Sequence, residues 1–493
     1  MEFDANIYRL LKNLKPNTSR MAYAAYDTAW IARMAEIDPG MSNQALDWLL
    51  ANQLSDGTWG AETPHYHHDR AVCTIAAMIA LAKRGSFPPR RRWRQAQAAF
   101  EMEINQLSED PMGGTIGFEM IMPTLLEEAV ALGVIQKQDN VFLKDLSHYR
   151  AAKLSKLRGH MISRFVTLSF SAEMAGPDGM HILDTDNLQE VNGSLGHSPS
   201  ATAYFAMFVR PNDPAALNYL HSVVHNGACP TVAPADIFEI VWALWNLALA
   251  MPLDSKILAL CKPHLDYLMK VWDPRTGITH ASGYTPKDSD DTGFTYEALR
   301  RFNYDVGIEA VLHYEEEEYF RCFALEANPS ISANIHVLGA LRQAGFSVYH
   351  PSVQKTLNFL RRSQTLRLFW FDKWHASPYY ATAHAIITCA KYCDDLVQDA
   401  VYWLLKTQNV DGSWGYYPTP TAEETAYCVQ ALCVWRQSGN TIPDDAIRRG
   451  AAWLQAHAEP PYPPLWIGKC LYGPELVVRS AILSALLLAA QNG

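Results

Sequence analysis

The 493-residue chain has no run of about 18 apolar residues, so no segment is expected to span a membrane. Basic residues are in deficit. Lys and Arg number 41 against 51 Asp and Glu, a formal net charge of −10, and a nucleic-acid partner would require the opposite balance to neutralise phosphates. The nine cysteines include no CxxC and no paired zinc-ligand spacing, and their odd number argues against a closed disulfide framework. They read as reduced, mostly buried thiols of a cytoplasmic protein. The opening stretch MEFDANIYRLLKNL lacks the apolar core and small-residue cleavage site of a signal peptide. Strand-like alternation is also scarce.

What is present is an amphipathic helix followed by a Gly/Pro-rich turn, many times over. NQALDWLLANQ, ADIFEIVWALWNLALAM, ISANIHVLGALRQAG and EETAYCVQALCVWRQSG all place apolar residues three and four apart. The fold class is therefore all-α. Two loops repeat one another: NQLSDGTWG (52–60) and TQNVDGSWG (407–415), each after a helix ending in WLL. A Gln near a Trp at a helix-to-helix turn suits helical hairpins stacked into closed rings, and two such loops far apart in sequence point to two toroids. The Pro-rich turns at 211–214 and 229–234 are the best candidate joint.

One stretch concentrates charge. KDSDDTGF (287–294) packs Asp288, Asp290 and Asp291 into four positions. Crowded carboxylates either bind a cation or keep a proton. Asp288 and Asp291 share a helix face but Asp290 points away from it, which is not an obvious metal claw. If Asp288 or Ser289 caps a helix, exposed amides are expected to hold the flanking carboxylates ionised, while like charge and burial keep the middle one protonated. Such a group in a dry pocket is an acid able to attack an alkene.

DSDDTG resembles the D-x-D-D motif of class II terpene cyclases. Other segments match class II diterpene cyclases in order: AYDTAW (25–30), GFEMIMPTLLEEA (117–129), NGSLGHSPSATAYF (192–205), ADIFEIVWAL (235–244) and NPSISANIHVLGAL (328–341). The likeness is to bacterial halimadienyl (tuberculosinyl) and kolavenyl diphosphate synthases, which share a segment like DKWHASPYYATAH (372–384). The resemblance implies two α-barrel domains in the βγ arrangement. Residues 1–16 would be the first helix of β, 17–228 an inserted γ domain, and 229–493 the remainder of β. It implies that Asp290 protonates geranylgeranyl diphosphate, that Asp288 and Asp291 polarise this acid, and that His336, or else Asn334, bonds to it.

The same resemblance assigns the substrate-binding residues. Lys153 is expected on the diphosphate, with Lys156 or Arg158 as substitutes. Trp242, Tyr284, Trp370, Trp374 and Tyr379 lie in segments that form the family's cavity. Phe170 and Thr231 stand where copalyl-type enzymes carry a His–Asn base, a departure that favours hydride and methyl shifts toward a halimane or clerodane skeleton such as kolavenyl diphosphate. Unrearranged copalyl diphosphate is the alternative. A squalene-hopene-like cyclase and a non-catalytic α-toroid binding protein are further rivals. Mg2+ is expected only in association with the substrate diphosphate, with Glu62 and Asp69 as candidate ligands, and no redox cofactor is implied. The chain lacks a complete D-D-x-x-D, since YCDDLVQD has Gln398 in the motif's place. The diphosphate should therefore survive, to be removed by a separate terpene synthase or phosphatase.

Overall fold

The computed structural model describes residues 2–136, 141–157, 159–326 and 328–491. Helices dominate, and the one sheet among the described residues is the two-stranded hairpin pairing Trp466–Ile467 with Leu471–Tyr472. Among the described residues no helix is long and apolar enough to cross a membrane.

Six helices close into an inner ring. In order they are Asp236–Leu249, Ser289–Arg301, Ile331–Gln343, Pro378–Cys389, Ala422–Gln437 and Glu475–Gln491, each packed on the next and the last on the first. Every residue of Asp236–Leu249 and of Pro378–Cys389 is buried, as expected of helices that are apolar all round. The outer helices are amphipathic. Pro351–Ser363 buries Val353, Thr356, Leu357 and Leu360, a stripe with helical spacing, and leaves its basic end in solvent. The first helix, Glu2–Asn13, belongs to this body. Its Ile7, Leu10 and Leu11, with Leu14 and Met21 just beyond it, join a core otherwise built from residues 235–488.

A second core gathers residues 24–233 with Cys470. Its ring is shorter: Ala25–Ala32, His67–Lys83 and Phe118–Ala131 continue through the 3-10 segment Thr167–Ala175 to Pro199–Tyr204, which returns to the first.

The two repeated loops have identical wiring. Trp59 donates through Nε1 to the Leu49 carbonyl at 2.7 Å, and Trp414 to that of Leu404 at 2.8 Å. The backbone N–H of each tryptophan donates to a threonine on the next helix, Thr74 or Thr425, at 3.0 Å. Gln53 and Gln408 donate to the carbonyls of Gly57 and Gly412, and both glycines have φ of +98°, a conformation that requires glycine. Two degenerate copies carry too little of the motif to stand out in the sequence. Trp370 bonds to the Leu360 carbonyl and to Thr382 in the same way, six residues after Gln364 but without the Asp-Gly turn. Gln189 donates to the Gly193 carbonyl, and Leu195 replaces the tryptophan while its N–H still reaches Thr202.

Candidate active site

Asp288 caps the helix Ser289–Arg301, its carboxylate accepting from the Asp291 N–H at 2.8 Å. Gly293 lets the next ring helix approach: a Cβ there would stand 3.1 Å from the backbone carbon of His336. That closeness carries the His336 ring to the acid. Its Nδ1 bonds Oδ1 of Asp290, and its Nε2 lies 2.9 Å from Nδ1 of His384, on the following ring helix. Phe294 stacks on His336 with centroids 3.6 Å apart, and Trp245 stacks on Phe294 at 4.4 Å. Trp242 meets His336 edge-on at 5.8 Å and donates to the Tyr380 hydroxyl at 3.3 Å. Aromatic rings therefore wall the acid and its two histidines.

The three aspartates are not equivalent. Asp288 and Asp291 are 1% and 5% exposed, whereas the Asp290 side chain keeps 13%, so only the middle carboxyl opens outward. The flanking pair departs from expectation. Burial, opposed for Asp288 by the Asp291 amide and reinforced in both by neighbouring carboxylates, pushes the two carboxyls well above the ordinary range. The cap hydrogen bond does not offset the loss of water around two acids that also crowd each other. The flanks therefore resist ionisation instead of being held ionised.

His384 stands in the DKWHASPYYATAH segment, yet its role is set by ring closure and not by any local pattern. Burial first, then His336 and His375, depress its basicity well below normal, so it is a neutral imidazole. Asn334 is placed elsewhere than expected. Its amide exchanges hydrogen bonds with both backbone groups of Phe320 and donates to Ser330, so it pins a loop and does not touch the acid. That loop matters, because the Ser289 N–H at the head of the acid helix donates to the Cys322 carbonyl at 3.1 Å.

Residues just beyond Cys322 border a cleft of about 480 Å³ between the two cores. Lys153, Lys156, Phe170, Lys373 and Trp374 line it, with Glu119 and Glu326. Lys153 pairs with Glu119 and Lys373 with Glu326. Arg158 lies outside the described residues. Phe170 carries a resident cation: Nζ of the fully buried Lys469 sits 4.6 Å from its ring centroid and 2.6 Å from Glu173. Thr231 is buried against Gly468.

Of the proposed cavity aromatics, Trp242 packs edge-on against His336, the partner of Asp290. Tyr284 packs between His197 and His280, and its hydroxyl is raised by burial first and then by the charges of Glu190 and Asp288. Two others belong to the scaffold. Trp370 locks a helical hairpin, as described above, and Tyr379 stacks on Trp403 at 4.8 Å on the outer side of the ring. The neighbouring Tyr380 takes the inward place, 4.4 Å from His384 and 6.3 Å from His336. A helix turns successive residues about 100° apart, so segment matching alone does not distinguish these two.

The magnesium expectation fails for Asp69. Its two oxygens accept from the N–H groups of Ala61 and Leu471, both at 2.7 Å, so the carboxylate ties the cores together. The Glu62 side chain is exposed. Asp394 and Asp395 of the YCDDLVQD decoy sit in a surface turn, bonded to the Lys391 N–H and to Arg361.

Known proteins share this architecture. A model of the squalene-hopene cyclase C-terminal domain matches residues 321–462. A Type B diterpene cyclase of Mycobacterium tuberculosis is 44% identical over 95% of this chain and 96% of its own. A (+)-kolavenyl diphosphate synthase of Herpetosiphon aurantiacus is 29% identical over 97% and 96%. The solved structure of ent-copalyl diphosphate synthase from Streptomyces platensis superposes with a TM-score of 0.79 at 29% identity, covering 99% of each chain. An acid set in a ring of buried aromatics, two helical toroids and near-complete alignment at 44% identity agree: the chain belongs to the class II diterpene cyclases.

Proposed function

We propose that this cyclase protonates the terminal alkene of geranylgeranyl diphosphate from Asp290, closes two rings and retains the diphosphate. Hydride and methyl shifts move the charge, and loss of a proton from a carbon beside the final cation then gives a halimane- or clerodane-type alkene such as kolavenyl diphosphate. The observation that carries this reading is the chain of contacts from Asp290 to His336 to His384. Among the described residues, neutral His384 has no hydrogen-bond partner at Nε2. A bare lone pair there is less costly than an orphaned N–H, which places its proton on Nδ1, donated to His336. His336 then carries its own proton on Nδ1 and donates it to Oδ1 of Asp290. The transferable proton is thereby confined to Oδ2, and the carboxylate left after transfer is already hydrogen-bonded.

The cleft supplies the anchor. Lys153, Lys156 and Lys373 are three cations beside apolar Phe170 and Trp374, which suits a charged head and a greasy tail. A magnesium ion associated with the substrate would be held by Glu119 and Glu326 together with phosphate oxygens, and would supply charge neutralisation at the anchor. Ring closure leaves a cation that the surrounding indoles and phenols solvate without capturing.

The test is product analysis. Purified enzyme given geranylgeranyl diphosphate should yield, after phosphatase treatment, a bicyclic diterpene alcohol identified by mass spectrometry and NMR. Asp290→Asn should lower turnover by about 10²-fold or more while circular dichroism stays native. Full activity in that variant, or conversion of squalene alone, would sink the proposal.

A further inference from the structure

Away from the acid, on the smaller toroid, two imidazoles converge on one buried carboxylate. Nε2 of His65 lies 3.1 Å and Nδ1 of His67 lies 2.6 Å from the same oxygen, Oε2 of Glu103. Glu103 is fully buried, and among the described residues its Oε1 has no hydrogen-bond partner and its ion pairs are to these histidines alone. The nearby cation, Arg70, is committed to Asp56, Thr58 and the carbonyls of Ala61 and Glu62. A buried carboxylate in this position lacks a fixed positive charge.

The backbone holds the rings in place. Asp110 accepts from the N–H groups of His67 and His68 at 3.0 and 2.8 Å, which fixes the start of the helix His67–Lys83. Glu109 stands 3.7 Å from Nε2 of His67, the ring nitrogen turned away from Glu103. A carboxylate behind a ligating imidazole is the outer partner that metal-bound histidines commonly have. The three donor atoms lie within 4.8 Å of one another, and ligands at about 2.1 Å from a tetrahedral ion stand about 3.4 Å apart. His65 is 43% exposed, so an ion can reach the site from solvent.

We propose that His65, His67 and Glu103 form a site for a divalent transition-metal ion of zinc type, with water as fourth ligand. The ion ties the segment following the first Asp-Gly turn to the helix Arg90–Gln106. Two imidazoles and one carboxylate select against magnesium, which prefers oxygen donors. The other cluster with metal-binding residue types, Asp69, Cys73 and Cys470, is fully buried, and burial raises both thiols away from the thiolate form a metal needs.

The test uses the full-length protein without a histidine tag, stripped with chelator and titrated with ZnCl2 in the presence of excess MgCl2. Calorimetry and elemental analysis should show one equivalent of zinc, and zinc should raise the melting temperature. His65→Ala and the double variant His65→Ala/His67→Ala should weaken binding by at least about tenfold and abolish that rise, with circular dichroism unchanged. No stoichiometric zinc on the folded parent, displacement by magnesium, or unaltered binding in the double variant would overturn the assignment.

Discussion

Nε2 of His336 lies 2.9 Å from Nδ1 of His384, so the imidazole that touches the acid is itself held from behind. His384 does not reach Asp290 and acts by positioning. Replacing it with Phe keeps the ring packing against Trp245 and Tyr380 but removes one buried hydrogen bond, a change of about 1 kcal/mol or a factor of about five to ten in kcat. KM should stay within about twofold, because the proposed anchor for the substrate's head, Lys153, Lys156 and Lys373, lies in the cleft and does not involve His384. The pH profile should also move, since His336 is then free to carry its proton on Nε2. A purely structural histidine would change stability and leave that profile alone.

The flanking acids make stability depend on pH with a definite sign. Burial raises the Asp288 and Asp291 carboxyls in the folded protein above their unfolded values. The folded state therefore holds protons that the unfolded state releases. Stability from these groups is complete below the ordinary carboxylate range and is lost as pH rises through the raised values. Asp288→Asn keeps an oxygen to cap the helix and has no charge to bury. Its melting temperature should rise relative to the parent as pH is taken from acidic to mildly alkaline. A constant difference across that range would mean that the acids are ionised when folded.

Much of the architecture is legible in the amino-acid order. Two inner helices, Asp236–Leu249 and Pro378–Cys389, are mostly apolar on every side, whereas the outer Pro351–Ser363 is striped, because burial on all sides and on one side demand different patterns. The acidic quartet announces itself by its charge density. What stays hidden depends on three-dimensional closure. Asn334 and His336 are two positions apart, and only the approach at Gly293 decides that His336 meets the acid. Tyr379 and Tyr380 are adjacent, and the rotation of their helix sends them to opposite sides. The repeat at Gln364–Trp370 is masked because Leu368 stands where the other copies have Gly57, Gly193 and Gly412, and the positive φ of its turn falls earlier, on Leu366 and Arg367.

Trp370 offers a test of that hidden repeat. Its indole donates to the Leu360 carbonyl and is fully buried, as those of Trp59 and Trp414 are in their hairpins. Trp370→Ala should destabilise by about 3 to 5 kcal/mol, and Trp370→Phe, which mainly loses the N–H, by about 1 to 2 kcal/mol. Denaturant titration measures both. Product identity in the Phe variant should be that of the parent. A changed product would place the indole in the substrate cavity after all.

Phe170 and Lys469 bear on how the reaction ends. A phenylalanine accepts no proton, and an ammonium already occupies its neighbourhood at 4.6 Å, held by Glu173. The ring itself contributes about 0.5 to 2 kcal/mol to a cation at its face, comparable to the energy that separates one product from a tenfold excess of another. In the proposed reaction, Phe170→His introduces a base where the first decalin cation would be intercepted. The expected result is a several-fold shift from rearranged to labdane-type diphosphate in the product ratio read by gas chromatography. An unchanged ratio would show that charge never lingers near residue 170, and that the skeleton is decided at another wall of the cavity.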